Sequence, residues 1–455
     1  MLHGFRGWGA GVVLALVVGC MRPAEAPPED VSEASREQAR PPPAERVSSG
    51  RARWLRTLKG QGREFAAGLA YDARGNMVLA LNSDDALEDA FGPLRAPGPG
   101  RFVVAKYGTG GERMWSLSVP GFAEALAVGS RGQVFVAGRN PAGVDYGDGA
   151  LREGRVLLRL DKDGDIAWSR GLEAMGLTPR LQVRRAEVDA LGNVVLAGTR
   201  LDDTAASVPL LAKVDAQGAL LWTYLHDVPG EGLGAAVDVQ GNTYLAGLLR
   251  PSRRDAVPFL LKLDVRGRRV WEQELGTPLG RATGVAVQGD RVLVVGTFAQ
   301  SLTFRDQVHE AKGGEGRGFV AGFDREGRPR WSRMLGRQAL GVSMDTRDGV
   351  VIAGRYADGD DLGEGPRAGV PGSTHNLFLV KLDRADGAVS WSHGFPMGPA
   401  KDGDAGHQDR FFVASGRKGE SALLGARLAP VDFGTGPLGE LEGGGRELFL
   451  GGFEP

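Results

Sequence analysis

Seven tryptophans, Trp54, Trp115, Trp168, Trp222, Trp271, Trp331 and Trp391, recur along the chain. Their spacing of roughly 50 to 60 residues is that of a repeat whose single copy cannot bury its own apolar face, so the copies must stack. Residues 235–271 show one copy in full. Ala235-Ala236-Val237-Asp238 leads through Gly241-Asn242 into Thr243-Tyr244-Leu245-Ala246-Gly247. After a loop, Phe259-Leu260-Leu261-Lys262-Leu263-Asp264 leads through Gly267 to Val270-Trp271. Both halves are short apolar or alternating runs around a glycine-containing turn, the pattern of two consecutive β-hairpins. Neither has the length or the spacing of an amphipathic helix. The unit is four strands ending on a tryptophan.

The strand before the tryptophan returns at 102–106, 156–161, 210–215, 319–324 and 378–383, and a last copy at 448–453 has no tryptophan behind it. Trp54 has the opposite defect, because no such strand precedes it. The two defects cancel if the strand around Trp54 pairs with the strand around Phe449, which closes a ring and leaves neither with a free edge. The upstream hairpins carry Gly75-Asn76, Gly192-Asn193 and Gly241-Asn242, residues suited to turns with positive φ. The 72 glycines beside 42% hydrophobic residues fit many short strands better than disorder. The expected fold is therefore all-β, a seven-bladed β-propeller with ring closure between N-terminal and C-terminal strands. Its innermost strands, rich in Ala, Gly and Val, would surround a crowded channel.

The motif Asp-x-x-Gly-Asn-x-x-Leu-Ala-Gly followed by Phe-Leu-x-Lys-Leu-Asp-x-x-Gly-x-x-x-Trp resembles the SBBP-type seven-bladed propeller repeat. It is more distantly similar to quinoprotein-like propellers. The resemblance covers about 51–455 and implies the fold; propellers host many chemistries, so it implies little about activity.

The amino-terminal region reads differently. Arg6 precedes an apolar run, 9–18, that is too short to span a bilayer and reads as a signal-peptide core. Val17-Val18-Gly19-Cys20 then resembles the bacterial lipobox, which implies acylation of Cys20 as the mature N-terminus and, with Met21 following, an outer-membrane address. Several acyl chains together anchor stably. Residues 20–50, with Pro23, Pro27, Pro28, Pro41, Pro42 and Pro43, lack apolar periodicity and read as a disordered tether. The expected organisation is 1–19 lipoprotein signal peptide, 20–50 tether and 51–455 propeller. Cys20 is the only cysteine, so no intrachain disulfide and no cysteine metal cage exist.

A net charge of −1 argues against nucleic acid as a partner. The six histidines form no His-x-His or His-Glu-x-x-His pair, and no nucleophile elbow or P-loop is present. Asp161-Lys162-Asp163-Gly164-Asp165 looks like the start of a calcium loop, but the same turn without extra carboxylates recurs at 215–218 and 264–267, so hairpin geometry explains it. The regular tryptophans read as packing between blades and not as a stacking platform.

The second-to-third loops and the blade-to-blade loops leave one face and vary in length, so that face is the expected functional one. It would gather Asp358, Asp360 and Asp361 from blade 6, and Asp402, Asp404, His407 and Asp409 on the approach to blade 7. Asp84, Asp85 and Asp89 from blade 1 join them. Across the ring stand Arg180, Arg184, Arg200, Arg253 and Arg254. The plain reading is solvated loop charge. The sharper one makes Asp358, Asp360, Asp361, Asp402, Asp404 and Asp409 hard oxygen ligands for calcium, or an acidic sector for a basic partner. The functional expectation is a non-enzymatic outer-membrane lipoprotein, held to the membrane through Cys20. Its loop face would bind an envelope protein or a surface polysaccharide. The alternative is an extracytoplasmic enzyme, either a quinone-dependent dehydrogenase or a polysaccharide lyase or hydrolase.

Overall fold

Glycine-containing turns cut the chain into strands of mostly six to nine residues, and antiparallel pairing of neighbours assembles them four at a time. The computed structural model describes residues 50–455 apart from 61, 63, 96–99, 202–206, 253, 277–278, 312–315, 348, 399–410, 439–440 and 442–446. The expected signal peptide, the lipidation site Cys20 and the tether lie outside these residues. Among the described residues every element is a strand and no helix is present.

Blade 1 comprises Glu64–Tyr71, Met77–Ser83, Arg101–Tyr107 and Arg113–Pro120, from the innermost strand to the outermost. Blade 2 runs from Phe122–Val128 to Ile166–Gly171, blade 3 from Leu181–Val188 to Leu220–Leu225 and blade 4 from Gly230–Val237 to Arg269–Glu274. Blade 5 runs from Gly280–Gln288 to Pro329–Met334 and blade 6 from Gln338–Met344 to Val389–Phe395. Blade 7 takes Phe412–Ser415, Ser421–Arg427 and Glu447–Phe453 from the end of the chain, and its outermost strand is Ala52–Gly60 from the beginning.

The closure is as the two sequence defects require. Trp54 lies opposite Gly452, Thr57 opposite Phe449 and Leu58 opposite Leu448. Leu58, Leu448 and Leu450 are fully buried in one cluster with Leu79 and Leu81 of blade 1. A buried ion pair, Arg427 with Glu447, ties the second strand of blade 7 to its third. A hairpin from the blade 1 loop, Leu87–Asp89 with Gly92–Arg95, adds to the other edge of the N-terminal strand through Lys59 opposite Glu88 and Gly60 opposite Leu87. The first strand is thus paired with the C-terminal strand up to Leu58 and with this hairpin at Lys59 and Gly60.

Two polar devices fasten blades to their neighbours: an indole N–H bond made by six of the seven tryptophans, Trp391 excepted, and a lysine clasp in some of the blades. Trp54 donates its indole N–H to the Thr109 carbonyl at 3.1 Å, Trp222 to Val265 at 3.0 Å and Trp271 to Arg325 at 2.9 Å, each acceptor lying in a turn of the following blade. The ring lies flat on a turn glycine: a Cβ on Gly111 would sit 2.6 Å from the Trp54 ring, so only glycine, with its φ of +81°, fits there. Gly50, φ +87°, fills the same place against Trp391 and so supplies the glycine of a turn that the ring closure interrupts.

The second device is a lysine from the third strand. Lys106, Lys213 and Lys381 reach buried Asp72, Asp189 and Asp345 at 2.8, 2.8 and 2.9 Å. The same ammonium groups donate to the carbonyls of Lys162, Gly241 and Gly419 in the next blade. Burial pushes these carboxyls up, but the lysine and the turn's N–H donors outweigh it and hold all three below the ordinary aspartate value.

Candidate functional site

The innermost strands wall a cavity of about 390 Å³ on the ring axis, and all seven blades contribute to it. Six of these strands carry a β-bulge near their start, with register shifts between Ala66 and Gly68, Val183 and Arg185, or Gly232 and Gly234, for example. The bulge twists the strand and brings its next residue against the neighbouring blade. Crowding there is severe: a Cβ on Gly234 would lie 2.8 Å from the backbone of Gly284.

Register aligns this position across the ring as Gly68, Ala125, Gly234, Gly284 and Gly341, with two exceptions. Blade 3 has Arg185 and blade 7 has Phe412. The two meet, the Arg185 guanidinium carbon lying 5.4 Å from the centre of the Phe412 ring. Two residues further on, six blades place Ala70, Ala127, Ala236, Ala286, Ser343 and Ala414, whereas blade 3 places Glu187. Both charged side chains line the cavity. Neither forms a hydrogen bond or a close ion pair with a described residue.

Both groups are half-buried, and their surroundings act on each. Burial pushes the Glu187 carboxyl up to about 7 while Arg185 pulls it down, and burial lowers the Arg185 guanidinium against the pull of Glu187. The wall is otherwise small apolar side chains and backbone, with Tyr71, Gln288, Ser343 and Ser415 as its further polar groups. One cation and one carboxylate therefore face a shared void.

On the face expected to be functional, the described loops of blades 2, 6 and 7 fold back against the outermost strands. Asp145-Tyr146-Gly147-Asp148-Gly149 in blade 2, Asp361-Leu362-Gly363-Glu364-Gly365 in blade 6 and Asp432-Phe433-Gly434-Thr435-Gly436 in blade 7 are one recurring tight turn. Its first aspartate accepts the N–H groups of both glycines, and its apolar residue is buried. In blades 2 and 6 the acidic residue between the glycines then caps an outermost strand: Asp148 accepts from Ser169 N–H at 2.7 Å and Glu364 from Ser392 N–H at 2.8 Å. Sheet edges that would otherwise invite pairing are blunted this way.

The expected acidic sector is engaged locally as far as it is described. Asp360 is buried between two guanidinium groups, Arg317 at 2.8 Å and Arg337 at 3.0 Å, because the physical need for charge compensation in a buried loop is met from blade 5 and the approach to blade 6. Asp361 holds its own turn, and Asp358 accepts the Gly369 N–H at 2.9 Å. Asp89 accepts from the Tyr107 hydroxyl at 2.6 Å and pairs with Arg113; Asp84 and Asp85 lie between the second strand and that hairpin. Asp402, Asp404, His407 and Asp409 lie outside the described residues, as does Arg253. Among the described residues no group of three acidic, histidine or cysteine side chains is arranged to hold a metal ion. Arg184 is the bulge residue beside Arg185, Arg200 sits in the second strand of blade 3 opposite Leu181, Arg180 precedes that blade, and Arg254 lies in the blade 4 loop.

Sequence reasoning passed over Arg185 and Glu187. The signal was a charged residue, two and four positions before the turn aspartate, where most other blades have glycine, alanine or serine.

No protein-family model matches the chain, and no curated protein is similar to it. Solved structures that align with it include the quinohemoprotein alcohol dehydrogenase from Comamonas testosteroni, at 11% identity and a TM-score of 0.40 over 90% of this chain and 76% of that one. The β-propeller domain of the trilobed protease from Pyrococcus furiosus aligns at 8% identity and 0.42 over 83% and 99%. A protein of unknown function from Dyadobacter fermentans aligns at 12% identity and 0.42 over 90% and 98%. Values this low carry no argument about activity, and the fold of this chain rests on its own strand pairing.

Proposed function

We propose that the chain is a lipid-anchored propeller of the bacterial envelope that binds a partner without transforming it. Acylated Cys20 would hold it to the outer membrane, and the tether 20–50 would let the closed ring stand off the bilayer. The partner is an envelope protein or a surface polysaccharide. The observation that supports binding over catalysis is where the polar groups go. Asp–Lys pairs, indole N–H groups and loop carboxylates are engaged in fastening blades and guarding edges. Hydrolysis of a polysaccharide needs two carboxylates flanking the scissile bond, and among the described residues the channel wall offers Glu187 alone.

Fractionation of cells expressing the full chain tests the anchor. Wild type is expected with the outer membrane and Cys20→Ser in the soluble fraction; a variant that still sediments with membranes refutes anchoring by acylation. Incubation of the full chain with purified surface polysaccharide, or with envelope protein, tests the rest. Retention with an unchanged polymer length supports binding. Shortening of the polymer, or turnover of an alcohol with an added quinone cofactor, would overturn it in favour of the enzyme alternatives.

A further inference from the structure

The channel pair points beyond a scaffold, and the inference does not rest on the scaffold reading. Arg185 and Glu187 are two residues apart on one strand, so their side chains leave the same face, about 7 Å apart along the backbone. Both end in the axial cavity. An arginine offers planar paired donors suited to a carboxylate, and a glutamate accepts from an ammonium. Phe412 lies by the guanidinium at cation–π distance, which fixes it while leaving its in-plane N–H groups available.

We infer that the central channel is a binding site for a small zwitterion, an amino acid or short peptide with free ends, its carboxylate on Arg185 and its ammonium on Glu187. The cavity, at about 390 Å³, lies within the range of small-molecule sites, roughly 300–1,000 Å³. Charge selects the class. A simple anion would gain Arg185 but meet the repulsion of Glu187, and a simple cation the reverse. A zwitterion satisfies both and brings no net charge into an enclosed ring whose remaining wall is neutral. The Glu187 carboxyl, raised by burial, would ionise fully against a bound ammonium.

The probe is alanyl-alanine, titrated calorimetrically into the full chain at neutral pH, with acetate, methylammonium and N-acetyl-alanine methylamide as comparisons. Alanyl-alanine is expected to bind at least about tenfold more tightly than any of the three. Arg185→Gln and Glu187→Gln should each weaken it by about tenfold or more, with melting curves showing that the ring remains folded. Should Arg185→Gln fail to fold, Glu187→Gln reads the same interaction with a smaller change. No heat from alanyl-alanine at millimolar concentration, equal binding of acetate, or undiminished binding by Glu187→Gln would each overturn the site.

Discussion

The outer and inner rims of this ring handle polar groups in opposite ways. Outside the channel itself, side-chain charges are matched: Lys213 reaches both Asp189 and the next blade, Trp222 caps a turn carbonyl, and Asp148 and Glu364 cover strand edges. At the axis, Arg185 and Glu187 stand in a column of small residues without a hydrogen-bonding partner among the described residues. The difference separates what holds the ring together from what is left for a ligand. The lysine–aspartate pair that fastens blades recurs in blades 1, 3 and 6, whereas these two charges appear in one blade only.

The sharpest test of the outer half of that contrast is the closure. Removing 447–455 takes away Leu448, Phe449, Leu450 and Phe453, all buried. At about 1.5–3 kcal/mol each, their burial is worth about 6–12 kcal/mol, which approaches the whole stability of a domain. The truncated chain is expected to lose cooperative unfolding and to aggregate; a soluble product melting with the full chain would break the claim that the two ends share a blade.

The next largest effect lies in the lysine clasp. Lys213→Met leaves Asp189 buried without its cation and is expected to cost about 3–5 kcal/mol, read as a lower urea midpoint. The pH dependence follows from the sign of the shift. Asp189 is held below its ordinary value, so its contribution is present above the unfolded aspartate range, near 4, and is lost as pH falls through the depressed folded value. Wild type and variant should therefore converge in acid. A gap that persists unchanged well below the unfolded value would show that packing, not charge, carries the effect.

How much of this was legible depends on the range of each interaction. The blades, their number and their closure could be read because turn glycines and strand tryptophans are local and repeat. The loops could not. Asp360 was legible as one of three nearby aspartates, but its two arginines come from Arg317 and Arg337, separated from it in sequence and joined to it only by the fold. The turn around Asp361 was locally encoded, since Asp145 and Asp432 open the same glycine pattern and each accepts the glycine N–H groups of its own turn. Arg185 and Glu187 sit in the repeat at positions given by the turn aspartate, but that seven such positions meet around one cavity is set by the ring and not by the local sequence.

The smallest expected effect belongs to the axis. Glu187 is raised in the folded chain to about 7, so it favours folding when protonated, and that advantage is lost as pH rises through 7. Arg185 and Tyr71 are the other titratable groups on the cavity wall. Glu187→Gln is expected to raise the melting midpoint at pH 8.5 relative to wild type and to change it less at pH 5.5. Equal shifts at both values would mean that the carboxylate is already compensated, and the contrast between rims would lose its inner half.

Ring closure also sets an order of events in folding. Residues 52–58 pair with 448–453, so the strand made among the first can find its partner only after nearly all the rest is available. Contacts of such sequence separation form slowly, and until then the six intervening blades stack with one open seam. During that interval Trp54 and Leu58 have no third strand beside them, and the waiting edge is the point at which a chain in transit would be caught by a chaperone or would pair with a neighbour. The hairpin 87–95, close to the first strand in sequence, pairs with it at Lys59 and Gly60 and so needs no distant segment to form.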